Sequence, residues 1–165
     1  MRYIKTPHHL FAHNPQARPS NAGAIWRRLC WVNEQVAVSG DLSNHDSEAL
    51  GQLQKWMSEG VTDIIDLRGE ASHESFVAKH APGITYHWLG VDDEGGRRSG
   101  EWFEAIEALA QMIFKDSKRK VVIHCHMGVN RGPSAAFTAL ITNGINPVEA
   151  LTQIRSARPV ASMMY

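Results

Sequence analysis

The 165-residue sequence has few cysteines, no excess of basic residues and no long apolar run, and each absence excludes a class of protein. Its two cysteines, Cys30 and Cys125, are too few for a disulfide framework and lack the CxxC spacing of a zinc or redox site. Basic and acidic residues both number 17, so the sequence has no basic excess of the kind that nucleic-acid or membrane-surface binding requires. No apolar run approaches the roughly 18 residues of a membrane span, and the first residues lack the apolar core of a signal peptide. We therefore expect a cytoplasmic protein with no membrane span and no nucleic-acid partner.

The residues that are present suffice for one folded domain. Hydrophobic residues make up 43% of the chain and charged residues 21%, which is enough for a buried core. Residues 1–23 are rich in Pro, His, Asn and Ala without helical or strand periodicity, which predicts an irregular arm ahead of a domain at 24–165. The arm contains His8, His9 and His13, but no Cys, Asp or Glu lies near them to complete a metal-ligand set.

Strand and helix patterns alternate along the rest of the chain. Asn33-Glu34-Gln35 separates two apolar runs, which predicts a β-hairpin. Buried strands are expected at 62–67, 84–89 and 121–124, and helices at 45–58, 100–115 and 133–142, with a last helix capped by Asn146. The inward positions of the first two helices are predicted to be Leu50, Leu53, Trp56 and Met57, then Trp102, Ile106, Leu109 and Ile113. The alternation predicts an α/β domain with a central, mostly parallel sheet flanked by helices.

The loop after the strand at 121–124 carries a cysteine, a glycine and an arginine, and ligands bind at this end of such strands. It reads His124-Cys125-His126-Met127-Gly128-Val129-Asn130-Arg131-Gly132-Pro133. Consecutive amides ahead of a helix form an anion cradle, and Gly128 lets the backbone turn those amides inward. Arg131 offers a planar fork for two phosphate oxygens, and the positive surroundings favour the thiolate of Cys125. The pattern predicts a phosphate-binding loop with a cysteine nucleophile.

This loop resembles the His-Cys-x5-Arg signature of the cysteine-dependent protein tyrosine phosphatase superfamily, and most closely that of the small dual-specificity phosphatases. The resemblance covers about residues 35–159, including Asp66-Leu67-Arg68 and Arg158-Pro159. It implies a tyrosine phosphatase-like fold and hydrolysis of phosphotyrosine, phosphoserine or phosphothreonine in proteins through a phosphocysteine intermediate. The implied partner is a phosphorylated protein, and the chemistry needs no metal or other cofactor.

The resemblance also implies roles for individual residues. Cys125 is the expected nucleophile. The phosphate is expected to be held by Arg131 together with the loop residues His126, Met127, Gly128, Val129 and Asn130. His124 is expected to orient the loop and to support the thiolate by hydrogen bonding. The family's general acid lies on a loop well before the cysteine, which here selects Asp93 over its neighbour Asp92.

One position departs from the family pattern. Ser or Thr usually follows the arginine, and its hydroxyl helps the thiolate leave in the second step, whereas this sequence has Gly132. A residue without a hydroxyl followed by Pro133 resembles the Ala-Pro of the slow regenerating-liver phosphatases. We therefore expect retarded hydrolysis of the phosphocysteine.

Three alternatives stay open in the sequence. A non-catalytic phosphate reader would keep the loop without turnover, and Gly132 is compatible with it. Phosphatases for inositol lipids or RNA 5′ ends share the loop, although the lipid enzymes carry lysines inside it and this loop has none. A rhodanese-like sulfurtransferase also places a cysteine on a strand–loop–helix, although its loop usually has one residue fewer before the arginine.

Overall fold

The computed structural model describes residues 25–165, so the predicted arm at 1–23 lies outside the described residues. Within this range one sheet has the strand order β1-β2-β5-β3-β4. The strands are β1 at Cys30–Trp31, β2 at Val36–Ser39, β3 at Asp63–Arg68, β4 at Thr85–Val91 and β5 at Val121–His124. β1 pairs antiparallel with β2, and all other neighbours are parallel. The predicted hairpin and the mostly parallel sheet are confirmed.

Helices of the described chain cover both faces of this sheet. They are α1 at Asp46–Ser58, α2 at Glu74–His80, α3 at Gly100–Phe114, α4 at Arg131–Thr142 and α5 at Pro147–Ala157, and a 3-10 turn at Ile25–Arg27 precedes β1. α3, α4 and α5 pack on one face, while α1 and α2 pack on the other. Successive strand residues point to opposite faces, so Ile64 and Ile65 enter different core layers. None of these helices is long and apolar enough to cross a membrane.

The structure corrects two predictions about burial. The strand predicted to be buried at 84–89 is β4, which lies at the edge of the sheet and has no fully buried side chain. Its Trp88 is 52% exposed. Met57, predicted to face inward from α1, is 44% exposed, because the buried face of that helix is centred on Leu53 and Trp56.

The structure also corrects two helix predictions. α4 begins at Arg131 rather than at Pro133, since the Ser134 amide already donates to the Asn130 carbonyl at 2.9 Å. Proline fits inside this first turn because the amides there have no partner within the helix. The short helix α2 was not predicted, because its seven residues are too few to show a periodic pattern.

The parallel strands bring several loops to one edge of the molecule. The register pairs His124 at the end of β5 with Ser39 of β2 and Asp66 of β3, and it pairs Arg68 with Val91 of β4. The loops that follow these strands therefore share the carboxyl edge of the sheet, where ligand sites of such folds lie.

Candidate active site

The loop at 125–130 joins β5 to α4 at the carboxyl edge of the sheet. Cys125 is only 1% exposed and packs in the core layer formed by α3, α4 and α5. Among residues 25–165, no acceptor is hydrogen bonded to the backbone amides of 126–130. Unpaired amides next to a helix N-terminus are the donors that bind anions.

Gly128 and Arg158 fix the shape of this loop. Gly128 has φ +62°, and a Cβ there would lie 2.6 Å from both the Ser39 carbonyl oxygen and Arg158 Nη2. Arg158 is buried after α5, and its guanidinium donates to the carbonyls of Gly128, Met127 (2.7 Å) and Trp26 (2.6 Å). Two of the loop carbonyls, those of Met127 and Gly128, are therefore bound by one arginine, and a side chain at position 128 would clash with its surroundings.

Arg131 is held by a carboxylate that the sequence analysis did not identify. Its Nη1 and Nη2 donate to the two oxygens of Glu70 at 2.7 and 2.9 Å, and Nη1 also donates to the Val91 carbonyl at 2.7 Å. The hydrogen bond from Arg131 lowers the pKa of Glu70 to about 2, and although burial opposes the charge, the pair raises the pKa of Arg131. Within the described chain, Arg131 Nε has no hydrogen-bond partner. Nε is buried and, together with the second hydrogen of Nη2, forms a donor edge that has no hydrogen-bonded acceptor and has the geometry to hold two oxygens.

The general acid predicted from the sequence faces this arginine. Asp93 lies between β4 and α3, and its Oδ2 is 3.5 Å from Arg131 Nε. Its Oδ1 accepts hydrogen bonds from Asn130 Nδ2 at 2.9 Å and from the Tyr165 hydroxyl at 2.5 Å. Asp92, the alternative in the sequence, makes no hydrogen bond to any residue of 25–165. The structure therefore brings Asp93, Asn130 and Arg131 together and leaves Asp92 outside this group.

His124 differs from its predicted role as a hydrogen-bonding support. It is fully buried against Trp56, with ring centroids 5.9 Å apart, and neither ring nitrogen has a hydrogen-bond partner within 25–165. Burial lowers its pKa to about 4, although the nearby Asp66 carboxylate opposes this shift. His124 is therefore neutral at pH 7, and it packs behind the loop without hydrogen bonding to the Cys125 thiol.

His126 joins a charged network behind the loop. Its Nδ1 lies 2.8 Å from Asp41 Oδ2, and this hydrogen bond raises the pKa of His126. Asp41 is buried and also pairs with Arg27 at 2.9 Å and Arg68 at 3.5 Å. Arg68 in turn holds Asp66 through two hydrogen bonds of 2.6 and 3.0 Å. The predicted phosphate-binding residue His126 thus has its side chain committed to a carboxylate.

Gly132 leaves open space beside the cysteine. A Cβ at this position would lie 3.6 Å from Cys125 Sγ, at ordinary van der Waals distance. A serine hydroxyl on that Cβ would be within reach of the sulfur. Gly132 is therefore a position where a hydroxyl fits and is missing from this chain.

Glu70, Asp41 and Tyr165 are functional candidates that the sequence analysis missed. Glu70 lies just after the predicted strand that contains Asp66-Leu67, at the end of the strand where ligand sites occur. This position is the signal in the sequence that could have identified Glu70. Asp41 and Tyr165 contact the site from distant parts of the chain, and no local motif marks them. No group of three or more His, Cys, Asp or Glu residues within 25–165 could hold a metal ion, and His8, His9 and His13 lie outside the described residues.

Comparison with known proteins identifies the family. The family model of the Rhodanese-like domain matches residues 49–152, more than half of the chain. Over 78 residues the chain is 36% identical to the probable protein tyrosine phosphatase type IVA A of Dictyostelium discoideum, and this stretch covers 47% of each protein. The chain therefore belongs to the Rhodanese-like domain family, and it is similar to a protein tyrosine phosphatase over part of its length. It thus matches about half the length of this curated relative.

Solved structures share the fold at low sequence identity. Human DUSP28 is 18% identical, with a TM-score of 0.63 over 82% of this chain and 84% of that chain. A mouse putative dual specificity phosphatase complexed with zinc tungstate is 19% identical, with a TM-score of 0.66 over 87% and 84%. PTPMT1 in complex with PI(5)P is 18% identical, with a TM-score of 0.64 over 84% and 86%. These likenesses confirm the predicted tyrosine phosphatase-like fold.

Proposed function

We propose that this chain hydrolyses phosphomonoesters through a phosphocysteine on Cys125, with residues 24–165 as its catalytic domain. The observation that carries the proposal is the donor edge of Arg131, which has no hydrogen-bonded acceptor and lies beside the unpaired loop amides and the Asp93 carboxylate. These groups converge on the loop that begins with Cys125. They match the needs of phosphoryl transfer, in which a nucleophile, an oxyanion cradle and an acid must act on one phosphate.

The first chemical step transfers the phosphoryl group to the enzyme. The Cys125 thiolate attacks phosphorus and forms a P–S bond while the bond to the leaving oxygen breaks. Protonated Asp93 gives its proton to that oxygen, because an unprotonated alkoxide or tyrosyl oxyanion leaves slowly. The amides of 126–130 and the donor edge of Arg131 hold the equatorial oxygens, whose charge must be stabilised during transfer.

The second step returns the enzyme to its starting state. Asp93, now a carboxylate, accepts a proton from water, and the oxygen of that water attacks phosphorus. The P–S bond breaks, phosphate leaves, and Cys125 recovers its thiolate. No hydroxyl at position 132 assists this departure, so we expect the second step to be slow.

The proposed substrate is a phosphorylated protein, at tyrosine and/or at serine and threonine. Two observations support this class over inositol lipids. The Dictyostelium relative is named a probable protein tyrosine phosphatase, and residues 126–130 contain no lysine to bind further phosphates. One structural neighbour, PTPMT1, is solved in complex with PI(5)P, so a phosphoinositide belongs among the test substrates.

Sulfur transfer is a second candidate, favoured by the match to the Rhodanese-like domain at 49–152. In that reaction Cys125 would take the outer sulfur of thiosulfate as a persulfide, releasing sulfite, and pass it to cyanide as thiocyanate. The loop of five residues between Cys125 and Arg131 favours the larger phosphate group, since the sulfurtransferase loop is usually one residue shorter.

The test measures p-nitrophenol release from p-nitrophenyl phosphate by the wild-type chain and by Cys125→Ser. We expect turnover in the wild type and none in the variant. Phosphotyrosine and phosphoserine peptides and a phosphoinositide then rank the substrates. Thiocyanate production without phosphate release would replace the phosphatase with a sulfurtransferase. Tight phosphopeptide binding without release of phosphate would instead identify a phosphate reader.

A further inference from the structure

The hydroxyl of Tyr165 makes three polar contacts in the loop that carries Asp93. It accepts hydrogen bonds from the Gly95 amide at 3.3 Å and from Arg98 Nη2 at 3.1 Å. Its 2.5 Å contact with Asp93 Oδ1 must then use the hydroxyl's own hydrogen, because a phenol has one donor. Tyr165 therefore donates to the carboxyl group that the proposed mechanism uses as acid and base.

Asn130 donates to the same oxygen of Asp93. Its Oδ1 accepts from the Met164 amide at 2.6 Å, which fixes the orientation of its amide group. The Nδ2 group therefore faces Asp93 and donates to Oδ1 at 2.9 Å. Two donors, Tyr165 and Asn130, thus occupy one oxygen of the carboxyl group.

Occupation of Oδ1 determines which oxygen of Asp93 carries the catalytic proton. A proton on Oδ1 would compete with the hydrogens of Tyr165 and Asn130, so the proton resides on Oδ2. Oδ2 is the oxygen that lies 3.5 Å from Arg131 Nε, on the side of the loop at 125–130, which we call the phosphate loop. The two donors thereby orient the proton on Oδ2 toward the leaving oxygen of a phosphate bound at this loop.

The ring of Tyr165 holds the surrounding loop as well. The Arg98 guanidinium lies 4.3 Å from the ring centroid, and the Trp102 ring meets it edge-on at 6.4 Å. The backbone leading to it is anchored on the phosphate loop, since the Ser162 amide donates to the Val129 carbonyl at 2.7 Å. Segment 158–165 therefore connects the two loops of the site directly.

We propose that Tyr165 is a positioning residue for Asp93, which orients the general acid and holds its loop against the phosphate loop. The proposal rests on the proposed phosphatase function. Because it acts through Asp93, loss of the Tyr165 hydroxyl has its largest effect where protonation of the leaving group matters most. A phenol such as tyrosine, with a pKa of about 10, needs that proton far more than p-nitrophenol does.

The kinetic experiment compares the wild type, Tyr165→Phe, Asp93→Asn and the double variant on two substrates. For Tyr165→Phe we expect kcat/KM, which reports formation of the phosphocysteine and not its slow hydrolysis, to fall about 10-fold on a phosphotyrosine peptide and less than about twofold on p-nitrophenyl phosphate. In the Asp93→Asn background the same substitution should change kcat/KM on neither substrate. Equal losses of kcat/KM on both substrates, or a further loss in that background, would show that Tyr165 merely stabilises the fold.

Tyr86→Phe is the matched control for loss of a phenol hydroxyl. Tyr86 donates to Asp66 Oδ2 at 2.5 Å in the network behind the loop, away from Asp93. We expect no difference between the two substrates in the effect of this variant. A difference between the two substrates as large as that expected for Tyr165→Phe would contradict a specific role for Tyr165.

A proteolysis experiment tests whether Tyr165 holds the loop at 92–99, and it requires no turnover. Trypsin cleaves after Arg97 and Arg98, and Tyr165 contacts Arg98 both through its ring and through its hydroxyl. We expect faster cleavage at this pair in Tyr165→Phe and faster still in Tyr165→Ala, with unchanged thermal unfolding. Equal cleavage rates in all three proteins would overturn the proposal. If the wild type lacks Cys125-dependent turnover, the proposed function fails. The proteolysis measurement still decides whether Tyr165 holds the loop at 92–99.

Discussion

The two loops of the site are held in different ways. The phosphate loop at 125–130 lies between a buried strand and a buried helix, and Arg158 binds its carbonyls from behind. The acid loop at 92–99 is mostly exposed, and the main contacts of its Asp93 are side chains of Asn130, Arg131 and Tyr165. The proposed nucleophile, Cys125, is therefore fixed by the fold, whereas the proposed acid, Asp93, depends on a few side-chain contacts.

This difference predicts unequal freedom of motion. Opening the phosphate loop requires disruption of the core around Cys125, which costs much of the folding free energy. Opening the acid loop breaks a few partly exposed hydrogen bonds, each worth about 1 kcal/mol. We expect the acid loop to open for substrate binding and product release while the phosphate loop stays in place.

The largest expected effect comes from removing the acid itself. Asp93→Asn cannot donate the proton to the leaving group, so kcat/KM on a phosphotyrosine peptide should fall by about 10²–10⁴-fold. Asp92→Asn is the matched control, because Asp92 makes no hydrogen bond within the described chain, and it should change kcat/KM less than about twofold. Steady-state kinetics of both variants decides the assignment, and the reverse pattern would transfer the role to Asp92.

The rigidity of the phosphate loop is tested by Gly128→Ala. A side chain there meets the Ser39 carbonyl and Arg158 in addition to the strain of φ +62°, so we expect a loss of about 3 kcal/mol in unfolding free energy. Gly144→Ala is the control, since Gly144 has φ +83° but open space around it, and about 1 kcal/mol is expected. Denaturant unfolding measures both, and equal losses would mean that the loop is less tightly held than its contacts indicate.

The two histidines beside Cys125 predict opposite pH dependences of stability. The folded pKa of His124 is about 4, below the unfolded value of about 6.5, so its stabilising contribution is present above pH 6.5 and is lost as pH falls. For His126 the folded pKa is raised by Asp41, so its contribution is present below pH 6.5 and is lost as pH rises through the folded value.

The check is denaturant unfolding of His124→Gln and His126→Gln between pH 7 and pH 5, above the main titration range of carboxyl groups. Relative to wild type, His124→Gln should remove about 2 kcal/mol of acid-induced destabilisation. His126→Gln should make the loss of stability on acidification larger. Parallel profiles for all three proteins would contradict the buried, neutral state of His124.

The smallest expected effect comes from Gly132→Ser, which adds a hydroxyl beside Cys125 in the first turn of α4. One hydrogen bond to the departing thiolate should speed phosphocysteine hydrolysis about 10-fold, equivalent to about 1.4 kcal/mol. Gly132→Ala fills the same space, 3.6 Å from Cys125 Sγ, without a donor and should give no acceleration. Pre-steady-state kinetics, which separates the burst from the slow phase, distinguishes the two variants.

The difference between the loops also explains how far the sequence predicts the site. The phosphate loop is continuous in sequence, so the spacing of Cys125, Gly128 and Arg131 after an apolar strand sufficed to locate it. Asp93 was selected through the family resemblance, and the structure places its carboxylate near Arg131. Tyr165 could not be predicted, because its contact with Asp93 depends on the path of the chain after α5.

The errors in the fold prediction have similar physical causes. Periodicity shows that a segment is apolar, but sheet order decides whether it lies at the edge, which is why β4 was expected to be buried. The start of α4 was misplaced because Pro133 is tolerated anywhere in the first turn of a helix. His124 was assigned a hydrogen bond from the family resemblance, whereas its surroundings are set by Trp56 from another element.

Trapping of the intermediate is the direct test for a phosphocysteine on Cys125. Wild-type protein is mixed rapidly with p-nitrophenyl phosphate, quenched in denaturant, digested and analysed by mass spectrometry. We expect one phosphoryl group on the peptide that contains Cys125, formed as fast as the burst of p-nitrophenol and absent from Cys125→Ser. Turnover that continues without this modification, or that persists in Cys125→Ser, would contradict a phosphocysteine mechanism at this site.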